Sequence, residues 1–380
     1  MELPSYFIDF LTDIRPTKDQ RQALRSAHTT LRERIWNDEN LASICVSDFL
    51  QGSYRRSTAI RPSDNEKADV DVIIVTNLDS AENTPDQALD KFKSFLNTYY
   101  KGQWGKNGRS IGIDLGDLKL DLVVTAAPSE VQKRLYKSDS IRTSYGIEDL
   151  SDWRLVPSWP DLDVRNQAGS FLRLEAAKKE AVWKSEPLLI PDREAKAWQP
   201  TDPVSQIEWT WEKNKLCNGY YVNVVKAIKW WRRRYEKPKY PKSYPLEHLI
   251  GDCCPNDISS VAAGVTKTLE NIVANYQGYV DARLTPELWD RGVSQNVFHR
   301  VTATDFAAFH ALAEDAAKIA REALDATSTG ESAAAWRRLF GDPFPEGPDD
   351  DSKSGPGGGQ PEGGFTSRTS PTILTGGRFA

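Results

Sequence analysis

Aspartates interrupt two runs of this chain that otherwise have the composition of buried β-strands. The first run, Ala68–Thr76 (ADVDVIIVT), contains Asp69 and Asp71. Alternate residues of a strand point to the same face, so these two carboxylates emerge side by side. Neighbouring carboxylates on an apolar strand repel each other and are costly to desolvate, and a divalent cation between them relieves both problems. The run therefore predicts a metal-binding strand.

The second run spans residues 118–124 (LKLDLVV) and contains Asp121. If this strand lies beside the first, Asp121 joins Asp69 and Asp71. Three carboxylates can hold two Mg²⁺ (or Mn²⁺) ions about 3.5–4 Å apart, an arrangement that serves in-line phosphoryl transfer. Asp121 could also accept the proton of an attacking ribose hydroxyl. An Asp-X-Asp pair taken alone also fits an edge strand with a solvated polar face.

Gly52-Ser53 follows a short predicted strand and precedes a polar turn. Glycine lets the backbone approach a phosphate closely, and backbone N–H groups with the Ser53 hydroxyl can bind phosphate oxygens. A Gly-Ser pair by itself is usually only a turn. The ordered set of Gly52-Ser53, the Asp69/Asp71 strand and the Asp121 strand favours a nucleotide site over this ordinary interpretation.

The second half of the chain has a helical apolar pattern, with predicted helices at 204–214, 218–235, 244–253, 258–277 and 303–327. Within the second helix, Lys226, Lys229 and Arg233 are spaced by three and four and share a face. A solvated basic face is the ordinary interpretation, and a phosphate-binding face is the alternative. Ser243-Tyr244 stands at the start of the next helix, where Ser243 would act as an N-cap.

The stretch FLQGSYRRSTAIRPSDNEKADVDVIIV resembles the polymerase-β-type nucleotidyltransferases. It resembles more closely the cGAS/DncV-like nucleotidyltransferases (CD-NTases) of bacterial CBASS antiphage defence. The similarity covers about residues 50–255. It implies an α+β, bilobed polymerase-β-like fold with a mixed-sheet catalytic lobe and a helical lobe. It also implies an enzyme that joins NTPs into a cyclic di- or trinucleotide second messenger, with release of pyrophosphate.

The resemblance assigns roles to residues of the helical half. Lys226 and Ser243 would contact the donor phosphates, and Tyr244 would stack on a base. A lysine is a point-charge phosphate ligand, and a base stacks favourably on an aromatic face. Polar residues that could line an acceptor pocket, or simply belong to surfaces and loops, are Arg154, Arg165, Asn166 and Asn296. His299 and His310 are expected to be structural.

The predicted organisation is a catalytic lobe with an N-terminal helix at 1–200, a helical lobe at 201–345, and a flexible tail at 346–380. The catalytic lobe has predicted helices at 17–37 and 85–100. The tail is rich in glycine, with nine of the chain's 24 glycines. The resemblance implies that an E1/E2-like ligase could conjugate Ala380 to targets, and that a separate effector senses the product.

Composition limits the remaining possibilities. A net charge of −5 and a pI of about 5.6 argue against a general nucleic-acid binder. No nucleic acid is therefore expected as an obligatory partner. No signal peptide or membrane-spanning run is evident, so a cytoplasmic location is expected. The four cysteines fit small core residues, although a zinc site from His248, Cys217, Cys253 and Cys254 stays open. Rival functions are nucleotidyl transfer to RNA or protein, and a catalytically silent nucleotide-binding module.

Overall fold

A mixed β-sheet carries both aspartate-bearing strands. The computed structural model describes residues 1–63, 66–127, 129–130, 133 and 186–348. The sheet order is β1-β2-β5-β4-β3, with β6 beside β5 and β7 beside β6. The strand bounds are β1 (Cys45–Gln51), β2 (Ala68–Thr76), β3 (Trp104–Lys106), β4 (Ile111–Asp114), β5 (Leu118–Ala126), β6 (Leu188–Asp192) and β7 (Ala197–Thr201).

Strands β2 and β5 are parallel neighbours, whereas the other pairs in the sheet are antiparallel. Their register places Asp71 directly opposite Asp121 and Asp69 opposite Lys119. Because side chains alternate along a strand, residues in register share a face of the sheet. The predicted convergence of the three aspartates on neighbouring strands is therefore observed.

Apolar residues alternate along the strands and build a core on each face of the sheet. One core packs against α2 (Lys18–Asn37), α5 (Pro85–Asp90) and α6 (Lys93–Tyr99). The other packs Phe49 and Ile73 against Val204 and Ile207 of α7 (Pro203–Leu216). Helix α2 begins with a capping box between Thr17 and Gln20, as its sequence favours.

A third core unites the helices that follow the sheet. They are α8 (Tyr221–Arg233), α9 (Ser243–Cys253), α10 (Val261–Asp281), α11 (Ala303–Asp325) and α12 (Thr329–Phe340). The first helix of the chain, α1 (Pro4–Ile14), also belongs to this core, where Phe7 and Phe10 pack against Phe340 and Phe344. The sheet lobe and helical core confirm the predicted α+β, bilobed class. Helix α1 nevertheless lies outside the lobe that the sequence assigned to residues 1–200.

Several elements differ from the sequence predictions. The helix expected at 85–100 is two short helices, because a turn at Lys91–Phe92 lets both Leu89 and Phe92 reach the core. Helices α1 and α12 and strands β3, β6 and β7 had not been predicted. Two short helices, α3 (Glu39–Ala42) and α4 (Gly52–Arg55), flank β1.

None of the helices within the described ranges is long and apolar enough to cross a membrane. The tail prediction for 346–380, including Ala380, falls almost wholly on residues 349–380, which lie outside the described part of the chain.

Candidate active site

Asp69, Asp71 and Asp121 line a cleft of about 1450 Å³. One wall is the sheet with the Gly52-Ser53 turn, and the other comes from α8, α9 and the segment at 290–301. Asp69 faces the open cleft, while Asp71 and Asp121 are half-buried. The three acids thus line the cleft between the sheet lobe and the helical core.

The electrostatics of Asp69 and Asp71 favour a nearby positive charge. Burial first, and then the nearby charges of Asp69 and Asp121, raise the pKa of Asp71 to about 7, against the opposing effect of Arg56 and Lys119. Burial also raises the pKa of Asp69; Asp121 adds to this, while Lys229 and Lys119 oppose it. A carboxyl group whose pKa is raised in this way is stabilised in its ionised form by a nearby positive charge, and a hard divalent cation can supply that charge.

Asp121 is held by three polar neighbours. Its Oδ2 accepts from Lys119 Nζ at 2.8 Å, and its Oδ1 accepts from Asn107 Nδ2 at 2.9 Å and Ser110 Oγ at 3.1 Å. In the described ranges, no three His, Cys, Asp or Glu side chains stand close enough together to coordinate one ion as they are placed. The carboxylate oxygens of Asp69, Asp71 and Asp121 are of the kind that Mg²⁺ or Mn²⁺ prefers, whereas Lys119 occupies one oxygen of Asp121 in this structure.

Gly52 brings the turn after β1 into direct contact with Asp71. Its φ is +76°, and a Cβ at this position would stand 1.8 Å from Asp71 Oδ2. Ser53 is adjacent and lines the same cleft. The Asp71 carboxylate can therefore occupy its observed position only because Gly52 has no side chain.

Lys226 does not point into the cleft, so this part of the sequence prediction is wrong. Its side chain is fully buried, and its Nζ donates to Asn223 Oδ1 at 3.3 Å. Helix α8 packs against α1, α7, α9, α10 and α12, and this leaves little of its surface open. Lys229, one turn further along, lines the cleft instead.

Glu247 joins cationic side chains from both sides of the cleft. Its Oε2 accepts from Arg56 Nε at 3.2 Å and Nη2 at 3.1 Å, and its Oε1 accepts from Lys229 Nζ at 2.8 Å. Lys229 also donates to the backbone oxygen of Thr58 at 3.0 Å. Nothing in the sequence assigned a role to Arg56, and Glu247 stood in the Ser243-Tyr244 motif without a role of its own.

Ser243 and Tyr244 both line the cleft at the start of α9. Helix α9 begins at Ser243 itself, with Lys242 as the N-cap and no side-chain cap, so the expected N-cap role of Ser243 is wrong. The Tyr244 hydroxyl donates to Asp290 Oδ2 at 2.7 Å, and its ring lies 5.2 Å from the Arg56 guanidinium. The predicted contacts of both residues with a nucleotide stay predictions.

The other candidates have structural partners or lie elsewhere. Asn296 lines the cleft, but its Oδ1 accepts from the backbone nitrogens of Leu288 at 3.2 Å and Phe298 at 2.9 Å. His310 is buried against the Val273 carbonyl, whereas His299 is exposed and bonds the backbone of Asn296. Outside the described residues lie Arg154, Arg165 and Asn166.

The open question of a zinc site receives no support from the geometry. Cys217 and Cys254 place their sulfurs 4.0 Å apart in the helical core. His248, however, directs its Nε2 to the Trp289 carbonyl at 2.7 Å. These residues form no metal-binding group in the described part of the chain. The alternative of small core cysteines matches their complete burial.

A mixed sheet that presents three aspartates from two parallel strands to a cleft beneath a helical lobe defines a polymerase-β-type nucleotidyltransferase. The family described as "Second Messenger Oligonucleotide or Dinucleotide Synthetase domain" matches residues 1–137. A cyclic AMP-AMP-GMP synthase of Enterobacter hormaechei subsp. hoffmannii is 44% identical over 380 residues, which cover 98% of this chain and 97% of that protein.

A probable cyclic AMP-AMP-GMP nucleotide synthase of Salmonella paratyphi B is also 44% identical, over 98% of this chain and 97% of its own length. Among solved structures, the CD-NTase CdnG of Bradyrhizobium diazoefficiens in complex with GTP superposes with a TM-score of 0.62 at 10% identity, covering 89% of this chain and 96% of that one. The chain belongs to the CD-NTase family, and it is a nucleotidyltransferase of the cyclic oligonucleotide synthase kind.

Proposed function

We propose that the chain synthesises a cyclic trinucleotide, cyclic AMP-AMP-GMP, as the messenger of an antiphage defence system. The observation that carries this proposal is the register of Asp71 with Asp121 beside Asp69, on the floor of a cleft that can hold nucleotides. The choice of two adenines and one guanine rests on the names of the two relatives that are 44% identical over nearly the whole chain.

In this proposal the residues of the chain divide the work of nucleotidyl transfer. Asp121 accepts the proton of the attacking hydroxyl, whose oxygen bonds the α-phosphorus while the bond to the β-phosphate breaks and pyrophosphate leaves. Mg²⁺ or Mn²⁺, when held by Asp69, Asp71 and Asp121, supplies charge neutralisation for the triphosphate and the leaving group. Ser53, Lys229 and Ser243 bind phosphate oxygens, and Tyr244 stacks on a base.

The direct test incubates the chain with all four radiolabelled NTPs and Mg²⁺ or Mn²⁺, removes linear products with phosphatase, and identifies the survivors by mass spectrometry. A phosphatase-resistant product containing two AMP and one GMP is expected, and Asp69→Ala/Asp71→Ala is expected to make none. Phosphatase-sensitive chains alone, or transfer to added RNA, would contradict the proposal. A resistant product of another composition would overturn only the choice of bases.

Lys229 lines the cleft and Lys226 is buried in the core, so the two lysines are expected to differ in their effect on binding of the donor phosphates. Lys229→Met is expected to raise the KM for ATP about 10- to 100-fold, because a charge-assisted hydrogen bond contributes roughly 1.5–3 kcal/mol. Lys226→Met is the matched control on the same helix, and it should leave the KM within about twofold because its ammonium lies in the core. Steady-state kinetics on both variants decide the matter; an equal rise in both would show that Lys229 has no special role.

The partners of this reaction are also part of the proposal. NTPs are the substrates, a separate effector senses the product, and an E1/E2-like ligase joins the carboxyl group of Ala380 to other proteins. The reaction is assigned to the cytoplasm, where NTPs are abundant. Mass spectrometry that finds only an unmodified Ala380 carboxyl in cells carrying such a ligase would count against the ligase.

A further inference from the structure

We propose that Glu247 is a positioning residue that holds Lys229 in the absence of nucleotide, yields it to the incoming triphosphate, and takes it back as pyrophosphate leaves. This inference rests on the proposed function in one respect, namely that Lys229 binds substrate phosphates. It adds a residue whose carboxylate competes with the substrate for the same ammonium group.

The position of Glu247 makes this competition possible. Its carboxylate is buried on α9, one turn after Ser243 and Tyr244, and only 6% of its side chain is exposed. Lys229 reaches it from α8, and Arg56 reaches it from the turn that follows Gly52-Ser53. All three residues line the nucleotide cleft, so a triphosphate in the cleft meets this ion group directly.

The ion group of Glu247, Lys229 and Arg56 has unequal numbers of positive and negative charges, which suits the exchange of Glu247 for a phosphate as the partner of Lys229. One carboxylate faces two cations, so a net positive charge stays beside the cleft when Glu247 is ionised. Burial by itself would raise the pKa of Glu247, but Lys229 and Arg56 outweigh burial and lower it. The carboxylate is therefore ionised at neutral pH and acts as an internal anion in the place where a phosphate oxygen would pair with Lys229.

The two contacts of Glu247 differ in how readily they can be given up. Arg56 makes two hydrogen bonds to one oxygen of Glu247, is itself buried, and has the Tyr244 ring over its guanidinium. Lys229 makes a single bond to the other oxygen and sits on a flexible stem with a second bond to the Thr58 carbonyl. The triphosphate is thus expected to draw Lys229 away while Arg56 stays on Glu247.

Binding measured in EDTA tests this idea without any divalent cation. Glu247→Gln is expected to bind ATP and inorganic pyrophosphate at least about fivefold more tightly than the unchanged chain, because the competing charge is gone. With Mg²⁺ restored, the same variant should show a lower KM for ATP together with a lower kcat and stronger inhibition by pyrophosphate. A purely structural Glu247 would give weaker ATP binding in proportion to lost stability.

Two further variants keep the test decisive. Glu247→Asp retains a charge for Arg56 but is one methylene too short to keep Lys229 as well, so it should bind ATP about two- to threefold more tightly even if the glutamine variant folds poorly. Glu270→Gln is the control, since Glu270 pairs with Arg321 at 2.8 Å far along α10 and does not line the cleft. It should bind ATP like the unchanged chain.

The outcomes separate this inference from the proposed function. Unchanged or weaker ATP and pyrophosphate binding in both Glu247 variants would overturn the inference, even where the unchanged chain makes its cyclic product. A failure of the unchanged chain to make any resistant product would overturn the proposed function, while tighter ATP binding in Glu247→Gln would still support the competition at Lys229.

Discussion

Replacing Asp71 with asparagine is expected to stabilise the metal-free chain at pH 8 while abolishing nucleotidyl transfer. The folded-state pKa of Asp71 is raised to about 7, first by burial and then by Asp69 and Asp121. The unfolded state releases this proton near pH 4, so the unfolded chain binds fewer protons between about pH 4 and pH 7. Stability from the protonated carboxyl is therefore full below about pH 4 and is lost as the pH rises through about 7.

An asparagine at this position has no charge to bury, so the variant's free energy of unfolding does not fall in this way as the pH rises. At pH 8 in EDTA, urea unfolding should show Asp71→Asn to be more stable by roughly 2–4 kcal/mol, an amount that follows from about 1.4 kcal/mol per pKa unit. The gain should shrink steadily towards pH 4. Added Mg²⁺ should reverse the order, because the unchanged chain gains binding energy that the variant lacks.

Asp114→Asn is the control for this measurement. Asp114 is exposed at the end of β4, and its hydrogen bond with Lys67 lowers its pKa instead of raising it. Its replacement should give no gain in stability at pH 8. If Asp71→Asn were no more stable than the unchanged chain at pH 8 in EDTA, the electrostatic repulsion among the three aspartates would not exist as described.

Gly52→Ala is expected to lower kcat/KM by about 100-fold or more. The new methyl group would overlap Asp71 Oδ2 at 1.8 Å and crowd its Cγ at 2.9 Å, so the carboxylate must leave its position. Displacement of a reacting group by about 1 Å can reduce the rate by roughly two orders of magnitude. Alanine at a φ of +76° adds about 1–2 kcal/mol of backbone strain, which lowers stability as well.

Gly102→Ala separates these two effects. Gly102 has a φ of +77°, and nothing lies within 4 Å of its hypothetical Cβ. Both alanine variants should lose stability in thermal unfolding because of the positive φ, and Gly52→Ala should lose more because it also overlaps Asp71, while Gly102→Ala retains nearly full activity per folded molecule. Equal kinetic defects in both variants would show that backbone strain, and not contact with Asp71, explains the effect at Gly52.

The sequence was most informative where chemistry and periodicity agreed. Strand β2 was predicted with its observed bounds, because a Val- and Ile-rich run has few alternatives to a buried strand. Asp69 and Asp71 stood out since charges are rare in such runs. Asp121 stood out in the same way, as an acid within a second apolar strand, and the parallel register of β2 with β5 confirms that the two strands are neighbours.

Helical spacing alone could not predict which lysine faces the cleft, because that depends on tertiary contacts. Lys226 and Lys229 share a helix face by their spacing, yet one lies in the core and the other in the cleft. Only the helices packed around α8 decide between them. The ion pair of Glu247 could not be predicted for a similar reason, since its partner Arg56 lies on the opposite wall of the cleft.

Helix α1 has a consequence for how the chain is assembled during synthesis. Its apolar residues Phe7 and Phe10 contact Phe340 and Phe344, which lie near the end of the described residues and are translated long after α1. At ~5–20 residues per second, these partners follow α1 by tens of seconds. During that interval Phe7 and Phe10 lack these aromatic partners, so the packing of α1 in the helical core is completed only after α12 has been synthesised.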